Sequence, residues 1–166
     1  MAQITGRAKM NESKPMKLST NRLELRAATL EHISAELEAP ERLAFLLNAR
    51  LEPGWPPGEY DRGAQEFFRD RPKEGGMAVV GWYGWYAIRR GSSDQPSVVM
   101  GARGYFGPPS ERGEVETGFS VMSTWRGLGY ATEMATTLID NAFADSLVRK
   151  VIAHGGTARS GLRYSQ

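Results

Sequence analysis

Two glycines within three positions, Gly127 and Gly129, stand in the run Ser123-Thr124-Trp125-Arg126-Gly127-Leu128-Gly129-Tyr130-Ala131, directly ahead of a strongly amphipathic stretch. Glycines at a strand-to-helix junction let the backbone curl with its N–H groups turned into a concavity, and the first turn of the helix adds N–H groups that lack intrahelical partners. The chemistry on offer is anion binding. A hydrogen bond to a charged oxygen contributes about 1.5–3 kcal/mol and the helix macrodipole about 0.3–1 kcal/mol, so several amides together outweigh the dipole. Backbone amides, more than Arg126, are expected to hold the ligand.

Other readings of the same residues are narrower. A dinucleotide fingerprint needs a third glycine where Thr132 stands. A P-loop needs Gly-Lys-Ser/Thr ahead of the helix, and no lysine is present in the loop, which excludes it. A plain turn, with the glycines serving only positive φ, stays open beside anion binding. His32 and His154 lack any HExxH-type spacing and read as structural, so no metal site is expected. Ser120 lies in Gly-Phe-Ser-Val-Met, without the second glycine of a nucleophile elbow. The absence of cysteine removes thiolate nucleophiles, disulfides and sulfur-based zinc sites.

The elements that must position this loop follow from periodicity. Glu114 to Met122 reads as the strand entering it, and Ala131, Met134, Ala135, Leu138, Ile139, Ala142 and Phe143 give the helix leaving it an apolar face at i, i+3, i+4, i+7 spacing. Val148 to His154 reads as the next strand, and a strand–helix–strand unit of this length implies a right-handed parallel crossover. Upstream, Leu18 to Arg26 alternates as a strand, Thr29 caps a helix carrying Leu30, Ile33 and Leu37, and Leu43, Leu46, Leu47 and Leu51 mark a second helix after Pro40. Glu52 to Gly63, with Pro53, Pro56, Pro57, Trp55 and Tyr60, reads as a long surface loop of the kind that closes an acceptor pocket. Ala64 to Asp70 is a short helix. Met77 to Arg90, rich in aromatics, and Val98 to Phe106 are strands, and short links favour an antiparallel meander. Trp82, Tyr83, Trp85 and Tyr86 are expected to be packing rather than a stacking platform.

The whole is a mixed, mostly antiparallel α/β sheet with flanking helices: an arm over residues 1–17, one domain over 18–154, and an irregular tail over 155–166. Met16 is a second candidate start. The 166 residues carry 21 basic and 19 acidic side chains, a formal +2, far from the positive field of a dedicated duplex-DNA binder, and no run is apolar enough to span a membrane. No nucleic acid or membrane partner is expected, and the cytoplasm is the default location.

Arg126-Gly127-Leu128-Gly129-Tyr130-Ala131 resembles the (Arg/Gln)-x-x-Gly-x-(Gly/Ala) pyrophosphate loop of the GNAT superfamily of acetyl-CoA-dependent N-acetyltransferases. Val115-Glu116-Thr117-Gly118-Phe119-Ser120-Val121 is similar to the strand that leads into it, particularly in the ribosomal-protein N-α-acetyltransferase branch. The order of elements agrees from Leu18 to His154. The resemblance implies acetyl-CoA as co-substrate and transfer of its acetyl group directly to a primary amine, either a small molecule or a protein N-terminus. Backbone groups of Val121, Met122 and Ser123 would meet the pantetheine arm. Arg126, Gly127, Leu128, Gly129, Tyr130, Ala131 and Thr132 would wrap the pyrophosphate. Glu116 matches a position where relatives carry glutamate and is the candidate base, with Glu114 on the same strand face as a substitute.

The family continues after His154 with a helix and further strands that form a second wall of the cleft. Here twelve residues follow, reaching at most about 40 Å and supplying at most one strand. A C-terminally incomplete fold is therefore expected, with two consequences. Apolar surface on the Ala131 helix and the Val148 strand would seek cover in a homodimer, with or without exchanged elements. The alternative to an active enzyme is a catalytically impaired CoA-binding or interaction domain.

Overall fold

A computed structural model describes residues 16–154 and, as backbone, 162–165. Its strands are β1 (Lys17–Ser19), β2 (Leu23–Ala27), β3 (Arg50–Leu51), β4 (Gly84–Arg89), β5 (Val98–Tyr105), β6 (Glu114–Val121), β7 (Lys150–His154) and β8 (Leu162–Ser165). They form one sheet in the order β1-β2-β4-β5-β6-β7-β8, with β3 beside β5. The β6–β7 and β3–β5 pairs are parallel and all other neighbours antiparallel, so the expected mixed sheet and parallel crossover are both present. The helices are α1 (Leu30–Glu38), α2 (Pro40–Leu47), α3 (Arg62–Gly75) and α4 (Tyr130–Phe143).

Each face of the sheet buries its own apolar layer. Leu25, Trp85, Met100, Val115, Val121 and Val151 pack under α4 against Met134, Leu138 and Ala142. Tyr86, Ile88, Val99 and Ala102 pack on the opposite face against Ile33, Leu43 and Phe68 of the other helices. The 3.6-residue period of α4 makes this possible, since it brings Met134, Leu138 and Ala142 onto one stripe. Leu138 is fully buried, and truncating such a leucine to alanine costs about 2–5 kcal/mol. Trp82, just ahead of β4, and Trp85 and Tyr86 within it are buried as packing, as expected.

Several boundaries differ from the sequence reading, each for a local reason. The strand expected over Leu18–Arg26 is a hairpin, β1 and β2, turned at Thr20, whose N–H donates to Leu23 O at 2.8 Å. Leu51 belongs to β3 rather than to α2, because Asn48 takes the left-handed conformation (φ 50) and ends the helix. The strand expected from Met77 begins only at Gly84. Gly76–Val79 is a 3-10 turn, and Gly81, at φ 96, reverses the chain before the sheet is reached. The helix expected over Ala64–Asp70 runs over Arg62–Gly75, capped by the Asp61 carboxylate on Ala64 N–H and continuing through Pro72.

At the N-terminus, Lys17 belongs to β1, and residues 1–15 of the expected arm lie outside the described residues. The tail expected to be irregular contains β8, which pairs antiparallel with β7 from Lys150↔Ser165 to Ala153↔Leu162. The uncovered apolar surface expected on α4 and β7 is not found. Among the described residues the exposed large hydrophobic side chains are Met16, Leu30, Phe45, Met77, Leu128 and Leu147, none of them in either element. No helix among the described residues is long and apolar enough to cross a membrane.

Candidate active site

The loop between β6 and α4 opens with a 3-10 turn, Ser123–Trp125, in which Trp125 N–H donates to Met122 O and Arg126 N–H to Ser123 O. Arg126 therefore does not present its amide, and its side chain is also engaged, Nε donating to Val121 O at 3.0 Å. Beyond it the chain changes character. Gly127 (φ 77) and Gly129 (φ 86) are both left-handed, a region that penalises any Cβ, and Gly129 forms the N-cap of α4 without a side-chain cap. The N–H groups of Gly127, Leu128, Gly129, Tyr130, Ala131 and Thr132 donate to no acceptor among the described residues. Residues 126–129 are exposed, so the row of donors is open to a ligand.

A clasp from the opposite end of the chain holds this loop. Arg22, in the β1–β2 turn, donates through Nη1 to Leu128 O (2.9 Å) and lies 4.0 Å from the centroid of the Tyr130 ring. Its Nε pairs with Glu133 Oε1 at 2.8 Å and its backbone N–H with Oε2 at 3.0 Å, and Thr20 Oγ1 donates to the same oxygen. Burial alone would raise the Glu133 pKa, but the bonds from Thr20 and Arg22 outweigh it and hold the carboxyl below the ordinary glutamate value. On the other side, Trp125 Nε1 donates to Glu52 Oε2 (2.8 Å), and Arg89 lies over the Trp125 ring at 5.0 Å. Nothing in the local sequence signals Arg22 or Thr20. Their relation to the loop exists only once β1 and β2 fold beside α4.

The strand leading into the loop has a partly open edge. β6 pairs with β5 as far as Val121↔Gly101, but with β7 only from Glu114↔Lys150 to Gly118↔His154. Met122 N–H bonds to Met100 O on the β5 side, so strand alternation turns the amide of Val121 the other way, past the end of the β7 pairing at Gly118↔His154. Val121 and Met122 are buried and Ser123 exposed at this point.

Alternation also places Glu116, Gly118 and Ser120 on the face covered by α1 to α3, since Val115 and Val121 lie under α4. Glu116 is exposed, and its Oε1 lies 3.7 Å from His154 Nε2, so the one histidine read as structural at a strand end sits beside the candidate base. Glu114 is engaged in an ion pair with Lys150 at 2.5 Å. His32 does serve structure, completing the N-terminal capping box of α1 with Thr29. No group of histidines, aspartates and glutamates suited to a metal ion occurs among the described residues.

The loop over residues 52–61 lies across the end of β6. Glu59 accepts from Ser120 Oγ at 3.4 Å, and Gly54 approaches the Met122 side chain. Its two aromatics are anchored from below by a residue the sequence did not single out. Glu36, on α1, is 5% exposed and accepts from Trp55 Nε1 (2.6 Å), Tyr86 Oη (2.7 Å), Tyr60 Oη (2.8 Å) and Gln65 Nε2 (3.2 Å). Burial raises its pKa against the pull of those four bonds. Glu36 follows the helical pattern as one more charged position, and only the fold reveals four donors converging on it.

These features agree with what comparison of the chain with known proteins finds. Residues 22–156 match the acetyltransferase (GNAT) domain family. The uncharacterized N-acetyltransferase YjdG of Bacillus subtilis strain 168 is 25% identical over 136 residues, covering 82% of this chain and 77% of that protein. Among solved structures, ribosomal-protein-S5-alanine acetyltransferase from Vibrio fischeri superposes with a TM-score of 0.50 at 12% identity, over 84% of this chain and 73% of that one, a likeness of fold. A GNAT-family acetyltransferase from Bacillus anthracis gives a TM-score of 0.48 at 17% identity, over 83% and 72%. Since the family match spans most of the described chain, from the Arg22 clasp to the end of β7, the chain belongs to the GNAT family of acetyltransferase domains.

Proposed function

We propose that this acetyltransferase moves an acetyl group from acetyl-CoA to a primary amine by direct transfer. The observation that carries the reading is the run of six consecutive amides, Gly127 to Thr132, without acceptors among the described residues, at the end of a strand whose edge is open beside it. A diphosphate supplies several charged oxygens, and replacing water on them with fixed N–H donors suits a ligand of that kind. The open edge at Val121 offers backbone groups to an extended amide-bearing arm such as pantetheine, in the manner of an added strand. Arg126 has a supporting part in this reading, holding Val121 O while its neighbours bind.

In the transfer itself, the neutral amine nitrogen attacks the thioester carbonyl carbon, a C–N bond forms, and the C–S bond breaks. CoA leaves as the thiolate and takes up a proton, while the amine proton passes to Glu116 directly or through one water. The exposure of Glu116 on β6 supports this role, and the His154 imidazole at 3.7 Å can accept or relay the proton onward. A need for acetyl-CoA supports a cytoplasmic location.

Calorimetry with CoA, combined with a thiol-release assay over an amine panel, tests the reading. Binding with turnover is expected, and Glu116→Gln should lower kcat by about 10²–10⁴ while leaving the affinity for CoA unchanged. Binding without turnover on any amine would restrict the chain to CoA binding. No heat of binding would remove the reading altogether.

A further inference from the structure

Arg103 on β5 is a guanidinium in an unusual setting. Tyr105, two residues on, points into the core under α4, and regular alternation would send Arg103 there too. Instead its backbone adopts φ 114, followed by Gly104 at φ 142, and its side chain emerges on the opposite face. There Cζ lies 5.2 Å from the centroid of the Phe106 ring, against Gly118 of β6. A Cβ on that glycine would come within 3.3 Å of Cζ. A non-glycine residue at positive φ is strained, and such strain concentrates where a side chain must be aimed.

Among the described residues the aimed group has a ring contact with Phe106 but no ion-pair partner. Arg103 Nε is buried without a hydrogen bond, and no carboxylate among the described residues lies within ion-pair distance of the guanidinium. Carboxylates do surround it at longer range: Glu59 and Asp61 act on its charge from the loop above, and Glu116 lies two residues beyond Gly118 on the same strand face, about 7 Å along it. Phe106 links the two ends of the cluster, contacting Arg103 on one side and the His154 ring, at 6.5 Å, on the other.

One cation ringed by carboxylates rejects a polyamine at Arg103 and a simple anion at Glu59 and Glu116, but suits a molecule that carries both charges. We propose that Arg103 anchors the carboxylate of a small aminocarboxylate acceptor, an amino acid or close analogue, with its amine directed to Glu116. The span is consistent: a hydrogen bond of about 2.9 Å at each end and a short carboxylate-to-amine separation together cover about 8 Å. Glu59, in contact with Ser120, and the anchored Trp55 and Tyr60 set the roof over β6, which favours a small acceptor over a folded protein terminus. This inference rests on the acetyl-transfer reading and names the substrate class of the same site.

Thiol release is measured with free amino acids and with their C-terminal amides, for the wild-type chain, Arg103→Met and Arg103→Lys, beside CoA calorimetry and thermal melts. Loss of a charge-assisted carboxylate contact predicts that the amides are poorer than the free acids by about 10- to 100-fold in kcat/KM, chiefly through KM. Arg103→Met should erase that preference by slowing only the free acids, Arg103→Lys should restore part of it, and CoA affinity should not change. Equal rates for acids and amides, or preference for polyamines or peptide N-termini in the wild type, would overturn the proposal while leaving acetyl transfer intact. Failure to bind CoA, or absence of turnover on every amine, would remove the transfer reading and this one with it.

Discussion

The Gly127–Thr132 loop and the Glu36 cluster flank the end of β6 and use hydrogen-bond donors in opposite ways. Around Glu36 four side-chain donors converge on one buried carboxylate, and each is engaged at 2.6–3.2 Å. Along the loop six main-chain donors meet no acceptor among the described residues. A satisfied buried cluster rigidifies what it connects, here α1, the 52–61 loop, α3 and β4. A row of unsatisfied donors on an exposed loop is stable only in water or with a ligand that supplies the acceptors. In the proposed reading the first is scaffold for the acceptor side and the second the surface for the donor substrate.

That contrast can be broken from either side. The largest effect is expected at Gly129, where φ is 86 and an added Cβ would meet Arg22 Nη2 at 3.2 Å. Gly129→Val should displace at least two amides, a loss of about 3–6 kcal/mol or 10²- to 10⁴-fold in the Kd for CoA, read by calorimetry, with little change in Tm. Glu36→Ala should do the reverse. It leaves buried donors unpaired and should cost about 3–5 kcal/mol in denaturant unfolding, while the Kd for CoA stays within about threefold. Glu36→Gln, which keeps an acceptor, should cost less. A comparable loss of CoA affinity in Glu36→Ala would show that the two regions are not separable.

Smaller effects sharpen the comparison. Arg22→Ala removes the contacts to Leu128 O and Tyr130 and leaves Glu133 without its cation, so the loop should loosen and the Kd for CoA rise by about tenfold, the effect of one to two partly exposed polar contacts. Acid should separate the two carboxylates. Glu133, whose pKa is depressed, contributes stability that is complete above the ordinary glutamate value of 4.5 and is lost as pH falls through its own lower value. Glu36, raised by burial, binds its proton more tightly when folded, so its contribution is complete below 4.5 and is lost as pH rises through its folded value. Acidification below 4.5 should therefore weaken CoA binding by the wild-type chain more than by Glu133→Gln, measured as the ratio of their affinities, without unfolding that originates at Glu36.

The same contrast explains what the sequence made legible. Glycine spacing, helical periodicity and strand alternation are local signals, and they located β5, β6, α4 and the loop between them to within a residue or two. Main-chain donors need no particular side chain, so a glycine pattern suffices to point to them. Side-chain clusters assembled from distant segments leave no such trace. Arg22 and Glu133 belong to opposite ends of the domain, and Glu36 meets Tyr86 only because α1 packs across β4. Arg103 was invisible for a third reason, since alternation predicts the wrong face and only the positive φ shows that it is turned. The Met77–Tyr83 segment misled in the other direction: Val80 and Trp82 are buried from turns rather than from a strand, and Met77 is exposed.

Backbone amide resonances followed during titration with CoA test the central claim most directly. The donors of Gly127, Leu128, Gly129, Tyr130, Ala131 and Thr132 should show the largest chemical-shift changes and slowed hydrogen exchange as CoA saturates, with the Trp55 and Tyr60 amides little altered. Saturable CoA binding that leaves those six amides unshifted and unprotected would contradict it.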